Sequence, residues 1–148
     1  MAGQPKPENT GVPAVIFDLD GTLCHTSVRY PAAHTRDLLQ DEVDETVRGL
    51  LDRYSGSHNI VLVTGRKAEQ LDTTMKWLAK HGVHYDRLFS RADGDNRDDS
   101  EVKRGLYMDH ICGVYRVDAV FDDRPRVIRM WRGALGLRVF DCGDGVEF

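Results

Sequence analysis

The stretch PAVIFDLDGT, residues 13–22, decides the fold prediction because an apolar run leads directly into two carboxylates and a glycine. In open α/β sheets, ligands bind beyond the carboxyl ends of the strands, so Asp18 and Asp20 stand where chemistry occurs. Side chains alternate along a strand, which predicts that both carboxylates share one face. Their repulsion calls for a bound cation or a raised pKa, and Gly21 allows the backbone to turn tightly.

The composition is typical of one globular domain. The 148 residues are 41% hydrophobic and 30% charged, and the net charge of -4 argues against nonspecific coating of duplex nucleic acid. Residues 1–12 are polar and lack an apolar leader core, so we expect a flexible tail, a single domain over residues 13–148 and a cytoplasmic location. The cysteines lack C-x-x-C spacing, which favours reduced thiols.

Apolar strand patterns alternate with amphipathic helix patterns, which is typical of a parallel sheet with helical crossovers. The expected strands cover residues 14–18, 60–63, 88–89, 119–122 and 137–140. The expected helices cover residues 39–54, 68–80, 99–110 and 125–132. We therefore expect a Rossmann-like three-layer α/β/α domain, in which the long connections at residues 24–37 and 90–98 shape the site.

Three further polar signals stand at strand ends or on a helix. TGR at residues 64–66 follows the second strand, Lys103 lies in the third helix, and DDR at residues 122–124 follows the fourth strand. Each signal alone is weak, since such residues more often form turns, and a calcium loop is excluded because Gly21 comes too early. Together with FDLDGT and in this order, they resemble the haloacid dehalogenase (HAD) superfamily of phosphotransferases.

The resemblance implies a phosphoryl-transfer site with four catalytic side chains. Asp18 would attack phosphorus to form an aspartyl phosphate, which divides a slow hydrolysis into two steps. Asp20 would protonate the departing alkoxide and later deprotonate water. Thr64 would donate its hydroxyl to the phosphate, and Lys103 would offset the charge on the phosphate and on Asp18.

Magnesium is the cofactor that this resemblance implies. The ion prefers oxygen ligands and keeps several waters, so Asp18, Asp122 and the main-chain carbonyl of Asp20 suit an incomplete ligand shell. Asp123 is expected to be a weaker ligand or a neighbour that hydrogen-bonds to the ligands.

A closer resemblance lies in the second half of the chain. The run RADGDNRDDSEVK at residues 91–103, with the later FDDR and MWR, is similar to the phosphatase domain of phage polynucleotide kinase/3'-phosphatase. In that family, the residues that match Asp95, Arg97 and Arg66 help to form the substrate phosphate pocket. The expected substrate-binding residues are Gly21, Thr22, Gly65, Arg66, Arg91, Asp95 and Arg97.

The alternative for Asp95, Arg97 and Asp99 is a simple ion-paired loop. Trp131 is expected to belong to the core, because it lies on an apolar helix face. The chain lacks the G-x-x-x-x-G-K-[ST] loop, so no kinase activity is predicted. The stretch between FDLDGT and TGR matches the family poorly, which leaves open any substrate contact by Arg29, Tyr30, His34 or Arg36.

The sequence therefore predicts a magnesium-dependent polynucleotide 3'-phosphatase with a minimal cap, acting on DNA or RNA ends and, by implication of the family, on 2',3'-cyclic phosphates. A site without a large lid admits a polymer end. A phage or repair setting and a separate kinase or ligase as partner are expected, with no membrane association. Two alternatives stay open: a phosphatase of nucleotides or other small phosphoesters, and an inactive subunit that binds phosphorylated ends.

Overall fold

A five-stranded sheet organises the computed structural model, which describes residues 5–26 and 37–148. All strand pairs in this sheet are parallel, and the spatial order is β5-β4-β1-β6-β7. A separate antiparallel pair joins β2 to β3. The strands are β1 (Val12–Phe17), β2 (Cys24–His25), β3 (Glu42–Val43), β4 (Asn59–Lys67), β5 (Arg87–Arg91), β6 (Tyr115–Asp122) and β7 (Val139–Asp141).

Helices connect the strands of the main sheet. Two of them continue into wider π-helical turns, at Tyr107–Ile111 and Met130–Ala134. Short 3-10 turns at Leu38–Gln40 and Ala68–Gln70 precede the first two helices. The α-helices are α1 (Glu45–Ser55), α2 (Leu71–Lys80), α3 (Asp99–Leu106) and α4 (Pro125–Arg129).

The alternation of side chains along the central strand explains the three layers. Val15 and Phe17 of β1 pack with residues of α1 and α2, such as Leu51 and Trp77. The intervening residues of β1 face the opposite side of the sheet, where they join a second cluster with residues that include Tyr107, Val127 and Trp131. Both faces of a parallel sheet must be covered, which accounts for the nearly continuous apolar runs in its strands. The predicted α/β/α arrangement is confirmed.

Several predicted boundaries differ from the structure for identifiable reasons. The helix expected from residue 39 begins only at Glu45, because the Asp37 and Asp44 carboxylates accept hydrogen bonds from main-chain N–H groups and start separate turns there. β6 begins earlier than expected, at Tyr115, since its first half alternates buried and exposed residues. β7 begins at Val139 rather than at residue 137.

The segment before β1 makes a defined contact with the sheet. The Asn9 side chain donates to the Val117 carbonyl and accepts from the Val117 N–H, both at 2.7 Å. This pair mimics one rung of a β-ladder beside β6. Among residues 5–26 and 37–148, none of the helices is long and apolar enough to cross a membrane.

The cap of α1 yields a stability prediction. The Asp44 carboxylate accepts a hydrogen bond from Val47 N at 3.0 Å, so Asp44→Ala leaves a helix N–H without its acceptor. We expect Asp44→Ala to lower the free energy of unfolding by about 1 kcal/mol, measured by urea denaturation. Asp44→Asn is the control, because it keeps a capping acceptor; an equal loss in both variants would contradict the capping explanation.

Candidate active site

A cavity of about 350 Å³ opens at the carboxyl ends of the central strands. Asp18 follows β1, Asp122 ends β6, and Gly65 lies near the end of β4. The carboxyl ends of parallel strands lie at one edge of the sheet. Residues that are far apart in the sequence therefore meet there. The cavity is lined by Asp18, Asp20, Leu38, Gly65, Arg66, Gln70, Arg91, Asp99, Asp122, Asp123, Arg124 and Phe148.

The Lys103 ammonium group lies directly behind the cavity and joins its carboxylates. It donates to Asp18 Oδ1 at 2.8 Å and to Asp122 Oδ2 at 3.0 Å, while Asp99 Oδ2 is 3.7 Å away. Burial by itself lowers the pKa of Lys103, but Asp122 and Asp18 raise it well above its usual range. The side chain is therefore a fixed positive charge at the bottom of an acidic site.

Hydrogen bonds saturate the Asp122 carboxylate. Its Oδ2 accepts from Lys103 Nζ and from Trp131 Nε1 at 3.2 Å. Its Oδ1 accepts from the main-chain N–H groups of Asp123 and Arg124, at 2.8 and 3.3 Å. A carboxylate offers about four lone-pair positions, and these four donors use them all. These hydrogen bonds fix the position of the Asp122 carboxylate, and its expected role as a metal ligand remains a prediction.

Asp123 completes an acidic cluster that suits a hard cation. One oxygen each from Asp18, Asp122 and Asp123 lie within 4.8 Å of one another. Burial raises the pKa of Asp123, and burial followed by the Asp122 charge raises the pKa of Asp18 well above its usual value. Oxygen donors in such a group fit Mg²⁺, whose charge relieves their repulsion.

The turn after β1 is shaped by these carboxylates. Gly21 has a φ of +84°, and a Cβ there would lie 2.0 Å from Asp123 Oδ2. The glycine therefore serves both the turn and the close approach of Asp123. The Thr22 hydroxyl, which is fully buried, donates to Asp18 Oδ2 at 3.1 Å. Thr22 and Lys103 thus hold different oxygens of the Asp18 carboxylate.

The Asp20 carboxylate belongs to a different electrostatic group. β1 ends at Phe17, so Asp20 lies beyond the strand rather than on its alternating face. Both of its oxygens are held by the Arg66 guanidinium, from Nε at 2.9 Å and from Nη2 at 2.7 Å. Asp18 and Asp20 still line the same cavity, but each has its own cation.

Thr64 and Gly65 lie near the carboxyl end of β4, where Gly65 lines the cavity. The Thr64 hydroxyl is fully buried and accepts a hydrogen bond from Arg66 N at 3.1 Å. Gly65 allows close contact, since a Cβ there would lie 2.0 Å from Asp99 Oδ1. The role of Thr64 toward phosphate remains a prediction.

The loop after β5 divides into a buried and an exposed part. Arg91 donates to the carbonyls of Gly65, Asp95 and Arg97, which folds the loop against the cavity wall. Asp95 and Arg97 form a bidentate pair that does not line the cavity, and the Arg97 side chain is 58% exposed. Arg97 lowers the pKa of Asp95 to about 2. Their contact with substrate remains a prediction.

Sequence reasoning missed several polar contributors to the site, including two that hold its charged residues. Trp131 is in the core as expected, but its Nε1–H also donates to Asp122. Asp41 is buried beside Arg66, although its position inside an apparent helix carried no signal. The questions about Arg29, Tyr30, His34 and Arg36 lie outside the described residues.

Solved structures share this fold. A chain from the structure of a Pnkp1/Rnl/Hen1 complex matches with a TM-score of 0.88 and 32% identity, covering 96% of this chain and 50% of that one. A chain from the Pnkp1/Rnl/Hen1 RNA repair complex matches with a TM-score of 0.86 and 32% identity, covering 94% of this chain and 45% of that one. Both likenesses extend over nearly the whole chain.

Sequence comparison identifies the family. The family described as the phosphatase domain of polynucleotide kinase PNKP, of the HAD class, matches residues 12–147. The chain therefore belongs to this family of HAD-type phosphatase domains. A protein of Autographa californica nuclear polyhedrosis virus, named as a bifunctional polynucleotide kinase/RNA ligase, is 34% identical over 139 residues. The match covers 91% of this chain but only 20% of the viral protein, so the chain corresponds to one part of that relative.

The raised pKa of Asp18 predicts a cost in stability. Its folded pKa lies above the unfolded value of about 3.9, so stability is lost as the pH rises from that value through the folded pKa. Asp18→Asn removes this loss. We expect its Tm at pH 7 in metal-free buffer to exceed that of the unsubstituted protein by about 3 °C.

This difference in Tm should narrow as the pH is lowered from 8 to 5, measured by circular dichroism in EDTA. Asp72→Asn is the control, because the Asp72 side chain is exposed on α2, forms an ion pair with Lys76 and does not line the cavity. A lower Tm for Asp18→Asn at pH 7 would show that the contact between Asp18 and Lys103 outweighs burial.

Proposed function

We propose that this domain is a magnesium-dependent polynucleotide 3'-phosphatase that converts 3'-phosphate ends to 3'-hydroxyls. The observation that carries the proposal is the pairing of Asp18 with Lys103 and of Asp20 with Arg66 within one cavity. Burial raises the pKa of Asp18, but Lys103 lowers it toward the ionised form that a nucleophile needs, while Arg66 holds Asp20 at the same cavity. Membership of the polynucleotide kinase phosphatase family supports a nucleic acid end as substrate.

The reaction uses both aspartates in sequence. An Asp18 oxygen forms a bond to phosphorus as the bond from phosphorus to the 3'-oxygen breaks, and Asp20 gives its proton to that oxygen. A water then attacks the phosphorus of the aspartyl phosphate, Asp20 takes the water proton, and the Asp18 carboxylate is released with inorganic phosphate. Lys103 holds Asp18 in position and offsets negative charge throughout.

Asp18, Asp123 and the main-chain carbonyl of Asp20 would hold the magnesium ion. The four hydrogen bonds to Asp122 favour Asp123 over Asp122 as the ligand. The sequence had instead suggested Asp122 as the main ligand and Asp123 as the weaker one. The bound ion supplies positive charge that neutralises the phosphate and these carboxylates. Asp122 keeps Lys103 and the start of α4 in place.

Partners are proposed from the relatives. The viral relative is named as a bifunctional polynucleotide kinase/RNA ligase, and the similar structures are complexes that contain Pnkp1, Rnl and Hen1. We propose that this domain works with a kinase and a ligase, since an end with a 3'-hydroxyl is suited to sealing. The test below compares DNA with RNA substrates and includes 2',3'-cyclic phosphate ends.

Turnover of 3'-phosphorylated DNA and RNA oligonucleotides with Mg²⁺ tests the proposal, with release of inorganic phosphate as the readout. Oligonucleotides with 5'-phosphate or 2',3'-cyclic ends and a 3'-mononucleotide serve as comparison substrates. We expect Asp18→Asn to lower kcat by at least about 10³-fold, because the nucleophile is lost. The surface variant Asp72→Asn should retain activity. Equal kcat/KM for the mononucleotide and the oligonucleotide would contradict a polynucleotide substrate.

The metal ligands are distinguished by two matched variants. We expect Asp123→Asn to raise the Mg²⁺ concentration for half-maximal activity by about tenfold or more with no loss of Tm, because a ligand is weakened. Asp122→Asn should instead lower the free energy of unfolding by about 3 kcal/mol, because an Asn side chain has one acceptor oxygen and cannot accept from all four donors that hold the Asp122 carboxylate. Magnesium titrations and urea denaturation measure the two effects. The opposite pattern would assign the ligand role to Asp122.

A further inference from the structure

We propose that Asp41 is a positioning residue for Asp20 and that it acts by holding the Arg66 guanidinium. This inference rests on the proposed function, because it concerns how the acid–base residue of that reaction is oriented. Asp41 is 4% exposed and lies on the segment between the turn at Leu38–Gln40 and β3. Its Oδ2 is 3.3 Å from Arg66 Nη2.

The Arg66 guanidinium is held on three sides. The edge formed by Nε and Nη2 binds both oxygens of Asp20, and Nη1 donates to the Thr74 hydroxyl at 3.1 Å. Nη2 also approaches Cys24 Sγ and Asp41 Oδ2, each at 3.3 Å. A planar guanidinium held in this way can rotate only if several contacts break together.

Asp41 is itself anchored to the helix layer. Its main-chain carbonyl accepts from Trp77 Nε1 at 2.9 Å, and Lys80 Nζ donates to the nearby Leu39 carbonyl at 3.1 Å. Thr74, Trp77 and Lys80 all belong to α2. One helix therefore fixes the main chain of Asp41 and carries the Thr74 hydroxyl, and both residues contact the Arg66 guanidinium.

In this arrangement, the hydrogen-bonding edge of Arg66 is used for Asp20. Its bidentate edge faces the Asp20 carboxylate, whereas the sequence resemblance implied that Arg66 contacts the substrate phosphate. If Arg66 orients the acid–base residue, disturbing Asp41 lowers kcat and leaves KM nearly unchanged. If Arg66 instead binds phosphate, the same change raises KM. The two roles are thus separable by steady-state kinetics.

Kinetics with the 3'-phosphorylated oligonucleotide provide the first test. We expect Asp41→Ala to lower kcat by about tenfold with KM changed less than about twofold, and Asp41→Asn, which keeps one acceptor, to lower kcat less. Asp86→Asn is the matched control, because Asp86 accepts from Ile60 N at the opposite end of β4 and should leave kcat unchanged. If Asp41→Ala does not fold, the same comparison is made with Asp41→Asn.

Either of two results would overturn the proposal: a kcat within about twofold of the unsubstituted enzyme, or a rise in KM that exceeds the fall in kcat. A second readout does not depend on turnover. The Arg66 Nε–H resonance in ¹⁵N-arginine-labelled protein should be protected from solvent exchange, and Asp41→Ala should increase its exchange rate while Asp86→Asn does not. An unchanged resonance contradicts the positioning role. Absence of phosphatase activity in the unsubstituted protein contradicts the proposed function alone.

Discussion

The buried ammonium group of Lys103 is the interaction on which the site depends. It touches Asp18 at the end of β1 and Asp122 at the end of β6, and it lies one helical turn from Asp99 on α3. A single charge thereby joins two strands and a helix. Without it, the carboxylates would repel one another, and without them a buried ammonium would be strongly destabilising.

Arg66 forms a second cationic centre a short distance away, and the two centres divide the acidic residues between them. Lys103 forms ion pairs with Asp18 and Asp122, whereas Arg66 forms ion pairs with Asp20 and Asp41. Two aspartates separated by one residue in the sequence are thus placed in different surroundings. Asp18 is buried and its pKa is raised, while the Asp20 side chain is 45% exposed and ion-paired. A nucleophile must be ionised, so the proposed magnesium ion beside Asp18 would lower that raised pKa.

The order of the elements was predictable because it follows from local patterns. Apolar runs such as residues 60–63 mark strands of a parallel sheet, and amphipathic periodicity marks α2 and α4. The segment at residues 37–44 was not predictable in this way. Its apolar residues repeat at helical spacing because they pack on the same cluster as α1, but the side chains of Asp37 and Asp44 divide the backbone into separate turns.

The sequence by itself determined the chemistry that is available. FDLDGT, TGR, Lys103 and DDR stand at successive strand ends or on a helix, and parallel strands bring such ends to one edge whatever the details of packing. The tertiary structure alone decided which carboxylate pairs with which cation. That choice depends on distances of about 3 Å between residues as far apart as Asp18 and Lys103, or Asp41 and Arg66, and no local pattern encodes such distances.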